Sequence, residues 1–296
     1  MSDPTMGTVV TALPGEEPLA SSDRGHGPYL QRFSALERVT HALMLTSFFG
    51  LIITGLPLHF SHAAWASTLI GILGGVRSAG LIHRFCGIIT FTYFFLHLGM
   101  LVSRFLKAED KAAFFTGPRT MVPRMKDLED VVGMFKWFVG AGPRPKFDRY
   151  SYMEKFDYWA VFWGIAIIGG SGLLLWFPTF FSKVLPGWMF NVATIVHGDE
   201  ALLAMGFIFT IHFFNSNLRP EKFPIDVVMF TGRARAEYME EEHPLEYERE
   251  LKEGRLEALK VAPPSETAYR IAVVLGLLAI LTGLTLTGLV LYAVLQ

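Results

Sequence analysis

Residues 81–105 read LIHRFCGIITFTYFFLHLGMLVSRF, and residues 191–214 read NVATIVHGDEALLAMGFIFTIHFF. Each run is apolar for long enough to cross a hydrocarbon core of about 30 Å as a helix. Each also carries two histidines, His83 with His97 and His197 with His212. An ionisable side chain inside a bilayer costs a few kcal/mol and by default marks a site with a partner. Spacing decides what kind of site. At about 100° per residue, an interval of 14, as between His83 and His97, returns a side chain to within about 40° of its starting azimuth. The interval of 15 between His197 and His212 returns it to within about 60°. Each pair therefore faces one side of its helix, its members about 21 Å apart along the axis. Two such helices face to face offer one bis-histidine site near each membrane surface, as two non-covalent b haems stacked across a bilayer require.

Around these two runs lie three more, Leu36–Leu58, Phe156–Phe177 and Tyr269–Leu295. A backbone in lipid must satisfy its own polar groups, and none of the five runs has the dyad alternation of a barrel, so all are expected to be helices. The expected fold is an all-α integral membrane protein, a four-helix haem-binding bundle plus a fifth C-terminal transmembrane helix. The expected organisation is a polar N-terminal tail over 1–35 and the bundle over 36–216 with a loop at 106–155. A charged segment follows over 217–268, then the fifth helix over 269–296. At 51% apolar residues the chain is too hydrophobic for an ordinary soluble domain, and a net charge of −1 gives no electrostatic reason to expect nucleic acid as a partner.

Charge placement sets the expected orientation. Arg77 is the only Lys or Arg between the first two spans and Lys183 the only one between the third and fourth, whereas residues 106–155 carry ten and many more follow the fourth span. By the positive-inside rule the N-terminus is expected in the cytoplasm and the C-terminus outside. The tail is punctuated by Pro4, Pro14, Pro18 and Pro28, lacks the features of a signal peptide, and is expected to be flexible. In this frame His83 and His197 lie at the outer level and His97 and His212 deeper, with His41 of the first span also at the inner level. That makes five candidates for four ligand positions.

Other residues have more modest readings. Cys86, the single cysteine, cannot build a disulfide or a C-x-x-C-H haem attachment and reads as a small buried thiol. Gly87, Gly169, Gly170, Gly172 and Gly206 would let a planar ring approach the backbone, or simply pack helices. Arg38 and Arg84 lie beside His41 and His83, where they would pair with haem propionates or snorkel to the interface. His59 and His62 read as interfacial, and His26 and His243 as needing no special role. Residues 238–260 mix acidic and basic side chains at helical spacing, the pattern of a solvated helix or a docking surface. The fifth span, without an ionisable group between Gly276 and Gly288, reads as packing or anchor. No H-E-x-x-H, G-x-S-x-G or phosphate-binding glycine loop is present.

The motifs Glu37-Arg38-Val39-Thr40-His41, Ile82-His83-Arg84-Phe85, Lys155-Phe156-Asp157-Tyr158-Trp159 and His197-Gly198-Asp199-Glu200-Ala201 occur in this order. With Phe230-Thr231-Gly232 and Glu242-His243-Pro244-Leu245-Glu246 they resemble the membrane cytochrome b subunits of formate dehydrogenase, hydrogenase and thiosulfate reductase, over about Arg32 to Glu250. The branch working with multihaem cytochromes c is the most similar. The resemblance implies two haem b, with His83 and His197 holding the outer one. For the inner haem it implies His41 with His212, whereas the pattern of quinol–cytochrome c reductases would pair His97 with His212; both remain open on the sequence. It also implies a menaquinone or ubiquinone site at the start of the third span, where Ser151, Tyr152 and Glu154 supply hydroxyl and carboxylate groups. The implied function is an electron-transfer subunit of a quinone/quinol oxidoreductase complex, passing electrons to or from a periplasmic multihaem cytochrome c or iron–sulfur subunit. Its rivals are a haem-poor structural anchor and a proton or ion transporter using a histidine relay.

Overall fold

A computed structural model describes residues 27–220 and 222–295. Five helices are long and apolar enough to cross a membrane: Ala35–His59, Val76–Lys107, Tyr152–Trp176, Trp188–Leu218 and Glu266–Val294. They match the five expected runs in order and reach further at most ends, because capping residues outside the apolar runs set where they begin. The first span starts at a reciprocal Ser34–Glu37 box, in which Glu37 N donates to Ser34 Oγ at 3.3 Å and Ser34 N to Glu37 Oε2 at 2.8 Å. Ser151 and Glu154 form the same box ahead of the third span. The second span begins at Val76, just after Gly74 and Gly75 turn the chain at φ of 81° and 94°, backbone that favours glycine.

The first and second spans approach closely, since a Cβ on Gly50 would lie 2.4 Å from Cys86 Sγ. Cys86 is accordingly a buried packing thiol. Ile52, Leu56 and Phe60 of the first span, Met205, Phe209 and Phe213 of the fourth, and Ile280 and Leu286 of the fifth form the main core. The fifth span earns its place through small residues: a Cβ on Gly283 would come within 2.9 Å of both Phe209 and Phe213, and one on Gly276 within 2.8 Å of Ile225. Outward side chains such as Phe85, Phe95, Leu203, Leu278 and Leu281 are exposed, as a lipid-facing surface requires.

Two spans are not uniformly α-helical. Residues Ile165–Gly169 in the third, and Ile208–His212 and Phe214–Leu218 in the fourth, form wider π-helical turns. Such turns insert a residue into the helical ladder and occur often at functional sites.

The charged segment departs from expectation. Residues 238–260 are not one solvated helix: Pro244 opens a new helix, Pro244–Lys252, directly after Ala236–Glu242, and Gly254, at φ 69°, follows it before Leu256–Leu259. Nor is the end of the tail free. Tyr29–Gln31 (β1) is the middle strand of a three-stranded antiparallel sheet, between Arg233–Arg235 (β2) and Lys260–Val261 (β3), with Leu30 opposite both Ala234 and Lys260. Residues 1–26, His26 among them, lie outside the described residues.

Buried carboxylates hold this polar module together. Glu246 is paired with Arg32 and, at 2.9 Å, with Arg149; Glu250 with Arg119 at 2.5 Å and Arg255 at 2.8 Å; Glu242 with Arg144 at 2.8 Å and Arg219 at 2.6 Å. The Arg255 and Arg119 guanidiniums hold the Glu250 carboxyl down to about 2 despite its burial. Burial opposes ionisation of Glu242, but Arg144, Lys222 and Arg219 keep it below the usual carboxylate range. His243 is buried here as well, a correction to its reading as unremarkable. Its Nδ1 donates to Asp148 O at 2.8 Å and its Nε2 accepts from the Arg32 guanidinium at 3.1 Å, while burial and that guanidinium lower its pKa.

Candidate functional site

At the end of the bundle away from the 106–155 loop His83 and His197 meet, with ring centroids 6.2 Å apart and ring planes at 67°. Two imidazoles axial to one iron, each at a metal–nitrogen distance of about 2 Å, place their centroids about 6 Å apart. Both rings are also held in the tautomer that ligation needs. Thr54 Oγ1 donates its one hydrogen to Gly50 O at 2.6 Å, so at 2.9 Å from His83 Nδ1 it accepts. His197 Nδ1 donates to Ile168 O at 2.9 Å, within the wide turn of the third span, and lies 3.3 Å from Ser171 Oγ. With each Nδ1 carrying the proton, each Nε2 keeps its lone pair for a metal. Glycines make room for the rings. A Cβ on Gly55 would lie 3.3 Å from His83 Cε1, and one on Gly172 3.0 Å from His197 Cε1. The residues present fit a bis-histidine haem.

At the module end the relevant residues are His41, His97 and His212. His41 and His212 are electrostatic neighbours. His212 Nδ1 donates to Asp157 Oδ2 at 2.8 Å, again leaving Nε2 as the free lone pair. His97 turns elsewhere: its Nε2 is 2.9 Å from the Tyr158 hydroxyl and its ring packs on Tyr158 and Phe162. The wide turn ending at His212 also bears on the interval of 15, since one inserted residue restores the phase of an interval of 14. Thr54 and His41 are 13 residues apart on the first span, so the two sites are separated by about 20 Å along it.

A family model described as prokaryotic cytochrome b561 matches residues 32–216, which takes in the first three spans, all but the last two residues of the fourth, and all five candidate ligand histidines. The chain belongs to the prokaryotic cytochrome b561 family. It is thereby a multi-pass membrane haem-b electron-transfer subunit of the formate dehydrogenase and hydrogenase type. No curated protein matches the cytochrome. The matched stretch ends before the carboxylate-rich helices and the fifth span.

The remaining expected site residues of this cytochrome fall in several settings. The Arg38 guanidinium donates to Phe230 O at 3.2 Å and Thr231 O at 3.1 Å, tying the first span to the polar module. Arg84 sits over the Trp176 ring at 5.8 Å, at the His83 end. Ser151 and Glu154 cap the third span, and Glu154 Oε1 lies 3.7 Å from Arg32 and 3.9 Å from His243. Tyr152 packs on Phe147. His59 lies against Gly198, whose Cβ would meet its ring at 2.8 Å, and packs on Phe60, as His62 does. Sequence reasoning missed Thr54, Ser171 and Asp157 as partners of the imidazoles. Their one signal is that each is a polar side chain in or beside an apolar run.

Proposed function

We propose that this cytochrome holds two haem b, one between His83 and His197 and one between His41 and His212, and carries electrons between the quinone pool and a partner outside the membrane. The observation that carries the reading is the His83–His197 pair, 6.2 Å apart with both Nδ1 atoms engaged outward. Bound haem b supplies one-electron carriers at two depths of the bilayer. The chain's own residues do the rest. Thr54 and Ile168 O fix the outer imidazoles, Asp157 fixes His212, and Tyr158 occupies His97, which favours His41 as the inner ligand.

The quinone site of this reading is the start of the third span. Tyr152 offers its hydroxyl to a quinone oxygen, while the Ser151 hydroxyl, donating to Glu154 Oε2 at 2.8 Å, orients the Glu154 carboxylate at the same site. Arg32 and His243 stand behind Glu154 in the polar module. Arg38 and Arg84 are the propionate partners. Lys and Arg placement puts the N-terminus and polar module in the cytoplasm and the C-terminus in the periplasm of the bacterial inner membrane. The partner is a periplasmic multihaem cytochrome c or iron–sulfur subunit, meeting the end where His83 and His197 lie.

A reduced-minus-oxidised spectrum of the purified chain, with haem extraction, tests this. Two b haems per chain, both reduced by a menaquinol analogue, are expected. His41→Ala is expected to lose one haem and His97→Ala to keep both. No haem in a folded sample would leave a structural anchor, the reading that the His97–Tyr158 hydrogen bond taken alone favours. Unchanged quinol-dependent reduction after substitution of both Tyr152 and Glu154 would remove the quinone site from this position.

A further inference from the structure

The two sites differ in what stands behind their imidazoles. At the first, Nδ1 of His83 meets the neutral Thr54 hydroxyl and Nδ1 of His197 the neutral Ile168 carbonyl. At the second, Nδ1 of His212 donates to a carboxylate, Asp157 Oδ2, at 2.8 Å. A carboxylate accepting this proton makes the imidazole a stronger donor and adds negative charge, and both effects favour the oxidised, more positive iron. Arg84 is adjacent to His83 and an electrostatic neighbour of its ring, which disfavours the oxidised state there. Arg38, close to His41, has its guanidinium on the Phe230 and Thr231 carbonyls.

From this asymmetry we infer that Asp157 is a positioning residue that sets the His41/His212 site at a lower reduction potential than the His83/His197 site, so that electrons run downhill away from the polar module. The inference rests on the ligand pairs proposed above. It gives the transfer a direction: a quinol is oxidised at the Ser151–Glu154 end, releasing two protons on that side. Its two electrons leave one at a time to the far end, where two ferric haems of a multihaem cytochrome c partner are reduced. The same chain is thus built for quinol oxidation rather than quinone reduction.

A spectroscopic redox titration of the purified holoprotein tests it without reference to turnover. Wild type is expected to titrate in two resolved steps, and His212→Ala to lose the lower one. Asp157→Asn keeps an oxygen that can accept from Nδ1 but removes the charge. It is expected to keep both haems and to raise the lower step alone by tenfold or more in reduction equilibrium, about 59 mV for a one-electron couple. Asp157→Glu is expected to leave the lower step near its wild-type position. Loss of the upper step in His212→Ala, or an unmoved lower step in a haem-replete Asp157→Asn, would overturn the inference while leaving the ligand pairs intact. If Asp157→Asn sheds a haem that Asp157→Glu retains, charge is required even to assemble the site. If both shed it, side-chain fit rather than charge is at work and the inference falls. Retention of both haems by His212→Ala would instead refute the ligand assignment.

Discussion

Replacing Thr54 with Val tests whether the outer imidazole is held as the geometry indicates. Val is nearly isosteric, so packing against the second span survives while the hydroxyl is lost. Thr54 is 1% exposed, and its oxygen accepts from His83 Nδ1 at 2.9 Å while donating to Gly50 O at 2.6 Å. The Gly50 carbonyl keeps its helical setting, so the substitution mainly takes the hydroxyl acceptor from the His83 N–H and leaves it the Leu51 carbonyl, which places the loss at the low end of the cost of an unpartnered donor. A buried donor without a partner costs about 1–3 kcal/mol. The low end of that cost falls on the tautomer that binds metal, so it is expected as a loss of about 5-fold in haem affinity at one of the two sites. Haem transfer from the holoprotein to an excess of a haem-scavenging globin reads it directly, and one of two release phases should accelerate while the other stays fixed. Equal release rates in wild type and Thr54→Val, with the full haem complement in both, would show that Thr54 does not orient His83.

Three other perturbations have definite outcomes. Gly172→Val puts branched carbon where even a Cβ lies 3.0 Å from His197 Cε1, and extraction should find one haem per chain instead of two. Lys155→Met removes the one salt-bridge partner that Asp127 has among the described residues, both Asp127 oxygens lying 2.8 Å from Lys155 Nζ. Breaking a buried pair costs about 3–5 kcal/mol, seen as a lower thermal midpoint, with the Arg124 N bond to Asp127 placing the loss at the low end. The depressed Glu250 carboxyl contributes stability that is full above the ordinary carboxylate range and is lost as pH falls from about 4.5 towards about 2. Pepsin cleavage in residues 222–265 should therefore rise over that interval, and Glu250→Gln should flatten the rise.

The five spans were legible because lipid leaves the backbone few options and apolar length announces them. The facing of His83 and His197 was legible for a related reason: helical phase puts both on predictable sides of rigid cylinders. The inner site was only half legible. Ideal helical phase left His212 offset, and nothing in residues 208–212 announces a wide turn. His97 had the right azimuth for a ligand, but Tyr158, 61 residues away, meets its ring. The polar module was misread for the same reason. Charge spacing within 238–260 suggested solvated faces, whereas the partners of Glu246 and Glu250 include Arg32, Arg149 and Arg119, all distant in sequence. Two local signals, Pro244 and Gly254, did mark the breaks between its helices.

The third span contains no histidine, yet it conditions every imidazole of the second and fourth spans except His83. Ile168 and Ser171 fix His197, Gly172 gives its ring space, Asp157 fixes His212, and Tyr158 takes up His97. A ligand-bearing helix alone sets only the azimuth of a ring; rotation about the side-chain torsions is settled by what accepts the proton on Nδ1. The partners differ in kind: a carbonyl in a widened turn at Nδ1 of His197, a carboxylate at Nδ1 of His212, and a phenol at Nε2 of His97. In the proposed ligation, one helix that carries no iron ligand would therefore give two chemically identical cofactors different environments. Under the ligation proposed above, that difference is what a chain needs if electrons are to cross it in one direction, and the groups that would set it lie in residues 157–172 rather than in the histidines.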